Sequence, residues 1–155
     1  METLLRVLRQ DFPMLTFRAS TDFYWSPKEQ SVYYANAKRQ SDVWSLLHET
    51  SHGILNHQTF ITDFELLQLE LAAWQKAEEL AVKYNIAIDI NHVEDCLDTY
   101  RDWLHKRSLC PSCGVKSLQE NASTYRCLNC NTAWRVSANR HCRPYRTKLS
   151  SQIQN

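Results

Sequence analysis

The chain has little of what makes a protein flexible or membrane-bound. It contains only 2 glycines and 4 prolines in 155 residues, which argues against long flexible linkers. No stretch approaches the roughly 20 consecutive apolar residues of a membrane span, so no membrane partner is expected. The opening residues, METLLRVLRQDFP, lack the apolar core and small-residue cleavage site of a secretory signal. We therefore expect a cytoplasmic protein.

Charge of both signs is present but unevenly divided along the chain. The formal net charge is only +1. Residues 1–100 hold 8 Lys/Arg against 15 Asp/Glu, whereas residues 101–155 hold 10 against 2. A basic C-terminal third suggests an anionic partner, most simply nucleic acid. Attraction to the acidic part of the same chain, or a solvated basic tail, are the alternatives.

Apolar periodicity predicts an α+β fold. Helices are expected at residues 2–11, 40–57, 63–84 and 91–106, with Ser41 or Asp42 capping the second. Short strands are expected near 15–17, 23–25 and 31–34, the last two joined by the turn SPKEQ. We predict a small antiparallel sheet packed with about four helices over residues 1–106. A separate module is expected over residues 107–155.

The sequence HETSH places two histidines four residues apart within the second predicted helix. On a helix His48 and His52 then share one face, about one turn apart. Two imidazoles at that spacing can bind one zinc ion, with Glu49 beside the metal as a general base. The motif predicts a zinc hydrolase in which Glu49 takes the proton from water.

A catalytic zinc needs a third protein ligand and one open position. Glu70 is the best candidate, because it lies in the apolar stripe of the next helix, where an unpaired carboxylate would be costly. Glu65 is the runner-up, although its position falls on the polar side of that helix. For the group that assists at the oxyanion, the sequence offers only Tyr33, Tyr34 and His57 as candidates.

The cysteines predict a second zinc site. Two CxxC pairs, Cys110/Cys113 and Cys127/Cys130, are separated by a short segment that can form a hairpin. Four thiolates would complete a closed tetrahedral site, so this zinc would be structural and the module a zinc ribbon. A pair of redox-active CxxC motifs is the alternative. Cys142 is expected to be a leftover thiol, although it could replace a ligand.

Basic and aromatic side chains alternate through this module. Such a mixture suits phosphate contact combined with base stacking. The basic residues are Lys116, Arg126, Arg135, Arg140, Arg143, Arg146 and Lys148, and the aromatic residues are Tyr125, Trp134 and Tyr145.

The segments LLHETSHGILNH and LQLELAAWQKAEEL resemble the ImmA/IrrE-like metallopeptidases, compact minigluzincins. The second-helix motif of that family resembles E-x-E-A-N-x-x-A. Glu70, Ala73 and Ala77 fit it, whereas Ala72 and Trp74 replace the second Glu and the Asn. The resemblance, over residues 15–85, implies a peptidase acting on a protein, often a DNA-bound regulator.

These patterns together favour a zinc-dependent endopeptidase with two zinc ions and a recruiting ribbon. If the strand at 31–34 lies at a sheet edge, it could hold an extended peptide substrate. A DNA-stimulated, SprT-like protease that clears DNA-bound proteins is one rival. A non-catalytic, zinc-stabilised nucleic-acid-binding or adaptor protein is the other.

Overall fold

A computed structural model describes residues 1–36, 38–137 and 144–149. Over these residues the fold is α+β, with four α-helices and two small sheets, and the prediction of an α+β fold with about four helices is confirmed. No helix within the described ranges is long and apolar enough to cross a membrane. The helices are α1 (Glu2–Asp11), α2 (Gln40–Ile54), α3 (Asp63–Lys83) and α4 (Ile90–Ser108), and a 3-10 turn occupies Pro27–Glu29. The strands are β1 (Thr16–Ala19), β2 (Tyr24–Ser26), β3 (Ser31–Tyr34), β4 (Gln119–Asn121), β5 (Thr124–Arg126), β6 (Ala133–Val136) and β7 (Arg146–Lys148).

The chain divides into two compact units. The first comprises Met1–Thr59 and Gln68–Asp95, and the second comprises Phe60–Leu67 with the described residues after Asp95. Helices α3 and α4 therefore each contribute to both units. The expected division into residues 1–106 and 107–155 remains a prediction about which segments fold independently.

The sheet of the first unit has the order β1-β3-β2. Strands β2 and β3 pair in antiparallel fashion around the predicted turn, but β1 pairs parallel to β3. The prediction of a purely antiparallel sheet is therefore wrong for β1. Residues 31–34 do not meet the condition for holding a substrate at a sheet edge, because β3 is the central strand. A parallel partner depends on the path of the chain over several elements, which local patterning does not reveal.

Helix α2 begins where backbone N–H groups are satisfied by a carboxylate. Asp42 accepts the N–H groups of Lys38 and Arg39 at 2.8 and 2.9 Å. These contacts hold the pKa of Asp42 below its usual range. Arg39 occupies the capping position, so the prediction of Ser41 or Asp42 as the cap is wrong. Asp42 instead acts from the first turn of the helix, where a negative charge is favoured.

Helix α2 ends three residues earlier than the periodicity predicted. Asn56 adopts a left-handed conformation with φ of 51°. The N–H of Asn56 donates to the carbonyl of Gly53, and the N–H of His57 donates to the carbonyl of His52 at 3.0 Å. This pair of bonds is the Schellman motif, in which Asn is a good substitute for Gly. It folds the chain back so that His57 lies next to His52.

Helix α3 carries the apolar stripe that the sequence predicted. At its start, Thr62 Oγ1 accepts the N–H of Glu65 at 3.1 Å, and the Glu65 carboxylate accepts the N–H of Ile61 at 2.8 Å. Further along, the side chains of one face are buried. They are Glu70, Ala73, Trp74, Ala77, Leu80 and Ala81. Packed apolar faces of this kind supply most of the stability of such helices.

The second unit is built on a four-stranded antiparallel sheet, β4-β5-β6-β7. Tyr125 and Trp134 are cross-strand partners whose rings stack with centroids 5.5 Å apart. Both are almost fully buried, with 2% and 0% of their surface exposed. They form a small core with Cys110, Cys127 and Val136.

A buried ion pair lies beside this core. Arg107 contacts the carboxylate of Asp63 with two nitrogens, at 2.5 and 3.1 Å, and only 2–3% of either side chain is exposed. The hydroxyl of Tyr125 donates to the same carboxylate, and Arg107 also donates to the carbonyl of Ser137. Burial and the bond to Asp63 raise the pKa of Tyr125, so its hydroxyl stays a donor. The carboxylate of Asp63, the first residue of α3, is thereby held by two partners, Arg107 and Tyr125.

Candidate metal centres

The first candidate centre is formed by side chains of α2 and α3. His48 Nε2 lies 3.1 Å from His52 Nε2 and 3.2 Å from Glu70 Oε2, and His52 Nε2 lies 3.8 Å from the same oxygen. All three side chains are nearly buried, and the group could hold a metal ion. The structure thus brings together the three residues that the sequence proposed as ligands.

The spacing of these atoms matches a tetrahedral zinc site. Zinc–nitrogen and zinc–oxygen bonds of about 2.0–2.1 Å place tetrahedral ligand atoms about 3.3 Å apart. The three observed separations bracket that value. Two histidines and one carboxylate supply three ligands of types that zinc binds in proteins. The residues present therefore fit a zinc ion.

Glu70 is buried in a setting that keeps it ionised. Burial alone would raise the pKa of Glu70, but the hydrogen bonds and charges of His48 and His52 outweigh it and hold the pKa well below its usual range. A buried carboxylate is tolerated only when it is paired or bound to a metal. The carboxylate of Glu65 accepts the N–H of Ile61 at the start of α3. Glu70, not the runner-up Glu65, is therefore the carboxylate beside the two histidines.

His57 supports one of the two histidines. Its Nδ1 lies 2.8 Å from His52 Nδ1, on the side of the His52 ring away from Glu70. Burial, with a smaller effect of His52, lowers the pKa of His57 to about 4. His57 is therefore neutral and can accept a proton from His52 Nδ1, which leaves His52 Nε2 free to bind a metal. His57, one of the candidate oxyanion helpers from the sequence, is therefore placed to support the ring of His52.

Glu49 is tied to the neighbouring strand. Its Oε2 accepts the backbone N–H of Trp25 in β2 at 2.8 Å. The indole N–H of Trp25 donates to the carbonyl of His57 at 2.9 Å. Trp25 therefore contacts both Glu49 and His57, the residue next to His52. The close approach of Trp25 requires Gly53, where an added Cβ would meet Trp25 and Leu15 at 3.0 Å. Nothing in the local sequence pattern identifies Trp25 in this role.

The other candidate oxyanion helpers bind partners outside the His–Glu cluster. Tyr33 donates its hydroxyl to Glu29 and stacks on Tyr24. The hydroxyl of Tyr34 accepts a hydrogen bond from Arg9 in α1 at 3.4 Å. Their positions give no support to a role in oxyanion stabilisation.

The second candidate centre is formed by four cysteines. Their sulfur atoms lie within 4.8 Å of one another and could hold a metal ion. The closest pairs are Cys110–Cys130 at 3.5 Å and Cys113–Cys127 at 3.4 Å. These separations exceed a disulfide bond of about 2.05 Å and approach the roughly 3.8 Å expected for sulfurs around one zinc.

The two CxxC segments adopt matching turns. In each, the residue after the second cysteine has positive φ, 73° at Gly114 and 59° at Asn131. The N–H of each of these residues donates to the carbonyl of the first cysteine, at 3.0 and 2.9 Å. The backbone N–H of Cys130 contributes to lowering the pKa of Cys127 to about 6, which favours a thiolate. The two segments therefore bring the four cysteines together through a pair of similar turns.

Two of the three aromatic residues predicted to stack on bases, Tyr125 and Trp134, are not available for that contact. Tyr125 and Trp134 belong to the buried core, because both point to the same face of the sheet. Tyr145 is 68% exposed. Lys116, Arg135 and Lys148 are exposed, whereas Arg126 is paired with Glu120. Arg140, Cys142 and Arg143 lie outside the described residues.

Comparison with protein-family models, curated proteins and solved structures gave no match for this chain. The resemblance to ImmA/IrrE-like metallopeptidases therefore rests on the motif residues alone. The structure itself establishes an α+β fold that carries a His–Glu cluster and a four-cysteine cluster, each able to hold a metal ion.

Proposed function

We propose that this protein is a zinc-dependent endopeptidase of the minigluzincin type. The observation that carries the proposal is the convergence of His48 Nε2, His52 Nε2 and Glu70 Oε2, with Glu49 on the same helix as the histidines. Three nitrogen and oxygen ligands with an open position are typical of hydrolytic zinc. The four-cysteine cluster, a closed set of thiolates, would hold a second, structural zinc.

A bound zinc ion would acidify water and polarise the carbonyl of the scissile peptide bond. Glu49 takes the proton released from that water and returns it to the leaving amine, so the C–N bond is replaced by a carboxylate and an amine. The hydrogen bond from the Trp25 N–H orients the Glu49 carboxylate during both transfers. His57 keeps the His52 ring in the tautomer that presents Nε2.

Strand β2 is the element most suited to guide an extended substrate. It is an edge strand, paired on one side with β3. Its Trp25 N–H donates to Glu49 rather than to β3, so the open side of β2 faces the base. A peptide that adds to this edge would pass close to Glu49. This proposal replaces the idea that residues 31–34 receive the substrate.

Metal content is the first test of the proposal. The zinc-replete, full-length protein should contain two zinc ions per chain by elemental analysis. Glu70→Ala should reduce the content to one, and Cys127→Ser should remove the other ion. A Glu79→Gln variant, altered at an exposed position of the same helix, should keep both ions. If the wild-type protein holds no zinc in the His–Glu cluster, the proposal that it is a zinc-dependent endopeptidase is refuted.

Activity is the second test. An unfolded protein such as reduced casein and the chain itself serve as substrates, with mass spectrometry to detect cleavage. Glu49→Gln should slow cleavage by about 10²–10⁴-fold, the usual contribution of a general base, while keeping both zinc ions. If wild-type protein and Glu49→Gln are equally inactive with both metals in place, the non-catalytic adaptor is the better description.

A role of the ribbon in nucleic-acid binding is a second proposal, supported by the basic excess after residue 100 and the exposed Arg135 and Lys148. With Tyr125 and Trp134 buried, phosphate contact would dominate, so affinity should fall steeply with added salt. Arg135→Ala with Lys148→Ala should weaken DNA binding, whereas Lys28→Ala should not. Faster casein cleavage on addition of DNA would favour the SprT-like alternative.

A further inference from the structure

His48 and His52 are held in different ways. His52 Nδ1 faces His57, but His48 Nδ1 is buried and has no hydrogen-bond partner in the part of the chain that the structure describes. A histidine that binds zinc through Nε2 carries its proton on Nδ1 and normally donates it to a carboxylate, carbonyl or water. Something other than a protein hydrogen bond must therefore fix the orientation of the His48 ring.

Trp74 lies directly against that ring. The centroids of His48 and Trp74 are 4.3 Å apart and their planes differ by 27°, which is a stacked arrangement. Trp74 is only 4% exposed, so its position is set by packing. Glu70 and Trp74 are four residues apart on α3, so the same face of the helix supplies a ligand and the ring that covers His48.

Two further aromatic rings complete an aromatic cluster of Trp44, His48, Trp74 and His92. The His92 ring meets Trp74 edge-on at 5.8 Å and meets Trp44 at 5.0 Å. Trp44 precedes His48 by four residues on α2, and its indole N–H donates to the carbonyl of Ala87 at 2.9 Å. Trp74 is thus enclosed and cannot turn away from His48 without displacing its neighbours.

We propose that Trp74 is a positioning residue that holds His48 by ring stacking, in place of a hydrogen bond at Nδ1. The proposal rests on the zinc site of the proposed function, but it concerns metal binding and is testable without cleavage. It predicts that zinc affinity depends on an aromatic face at position 74. A polar group at this position is not needed, because shape rather than charge orients the ligand.

Metal affinity measured on the full-length protein tests this role. The four-cysteine site is first filled with zinc, and the second ion is then titrated in competition with a chelator. Trp74→Ala should weaken this second ion by about 10–100-fold, the usual effect of removing a residue that supports a ligand. Trp74→Phe, which keeps an aromatic face, should stay within about threefold of wild type.

A spectroscopic measurement separates positioning from general loosening of α3. Cobalt bound at the His–Glu cluster should show an altered visible spectrum in Trp74→Ala and an unaltered one in Trp74→Phe. Leu80→Ala is the matched control, because Leu80 is equally buried on α3 but lies outside the aromatic cluster. It should lower the melting temperature while leaving affinity and spectrum unchanged. Equal losses in Leu80→Ala and Trp74→Ala would overturn the proposal.

If Trp74→Ala is too unstable to fold, Trp74→Leu provides a second test of the role of Trp74. It retains much of the volume without an aromatic face, so it should lose affinity as Trp74→Ala does. Wild-type affinity and spectrum in a folded Trp74→Leu variant would overturn the proposal. His48→Ala distinguishes this failure from failure of the zinc site itself. If His48→Ala binds the second ion as tightly as wild type, the proposed zinc site is wrong and the role of Trp74 falls with it.

Discussion

The Nδ1 atoms of His52 and His57 lie 2.8 Å apart because the turn that ends α2 brings the two residues together. Replacing His57 by Ala should remove the proton acceptor of His52 and weaken zinc binding at the His–Glu cluster by about 10–100-fold. His57→Gln, whose carboxamide oxygen can accept the same proton, should recover part of the loss. Chelator competition measures the affinity, with His105→Ala at an exposed position of α4 as the control. Unchanged affinity in His57→Ala would contradict this role.

The buried pair Asp63–Arg107 makes a prediction about stability. Asp63→Ala leaves the Arg107 guanidinium buried without its counter-charge and should reduce the free energy of unfolding by about 3–5 kcal/mol. The double variant Asp63→Ala/Arg107→Leu should lose less than the two single changes together, since neither charge is then stranded. Urea denaturation of the zinc-loaded protein provides the measurement. Full additivity of the two changes would show that the pair is not coupled.

The tight packing of Trp25 against Gly53 connects the stability of the fold to the position of Glu49, the proposed general base. Gly53→Ala would place a methyl group 3.0 Å from Leu15 and Trp25, which must move to accommodate it. Overpacking of this kind should cost about 1–3 kcal/mol of stability, measured by thermal denaturation. Because Trp25 also orients Glu49, cleavage should slow while zinc content stays at two ions. Ala77→Gly on α3 is a comparison for loss of stability without displacement of Trp25.

The lowered pKa of Asp42 predicts that the stability of the protein depends on pH. Its pKa is lowered mainly by the N–H groups of Lys38 and Arg39, so its stabilising effect is complete above the unfolded value of 3.8. The effect is lost as the pH falls through the lower pKa of the folded state. Asp42→Asn should therefore be less stable than wild type at pH 6, and the difference should shrink at lower pH. A difference in melting temperature that is independent of pH would exclude this contribution.

Much of the His–Glu cluster could be predicted because its signals are local. The spacing of His48 and His52 fixes a shared helical face, and the apolar neighbours of Glu70 mark it as buried. The end of α2 was missed for a reason that is also local. Asn56 can adopt positive φ and end a helix, as Asn85 does after α3. The prediction followed only the apolar periodicity, which continues past Asn56, and did not consider Asn as a helix-ending residue.

Other features depend on contacts between distant residues. The parallel pairing of β1, the bond from Trp25 to Glu49 and the pair of Asp63 with Arg107, 44 residues apart, leave no trace in a local window. The burial of Trp134 against the hairpin follows from the sequence. Trp134 and Val136 alternate with Arg135, and this period of two assigns the apolar pair to the inner face of a strand.

His48 and Glu70 are 22 residues apart, on separate helices. An ion shared between them would close that loop of chain and bind only after the two helices have docked. It would therefore act as a reversible cross-link whose stabilisation grows with the free ion concentration. Weakened variants of the first unit should regain their folded population when zinc is added, so metal supply would set how much of the protein is present in its folded form.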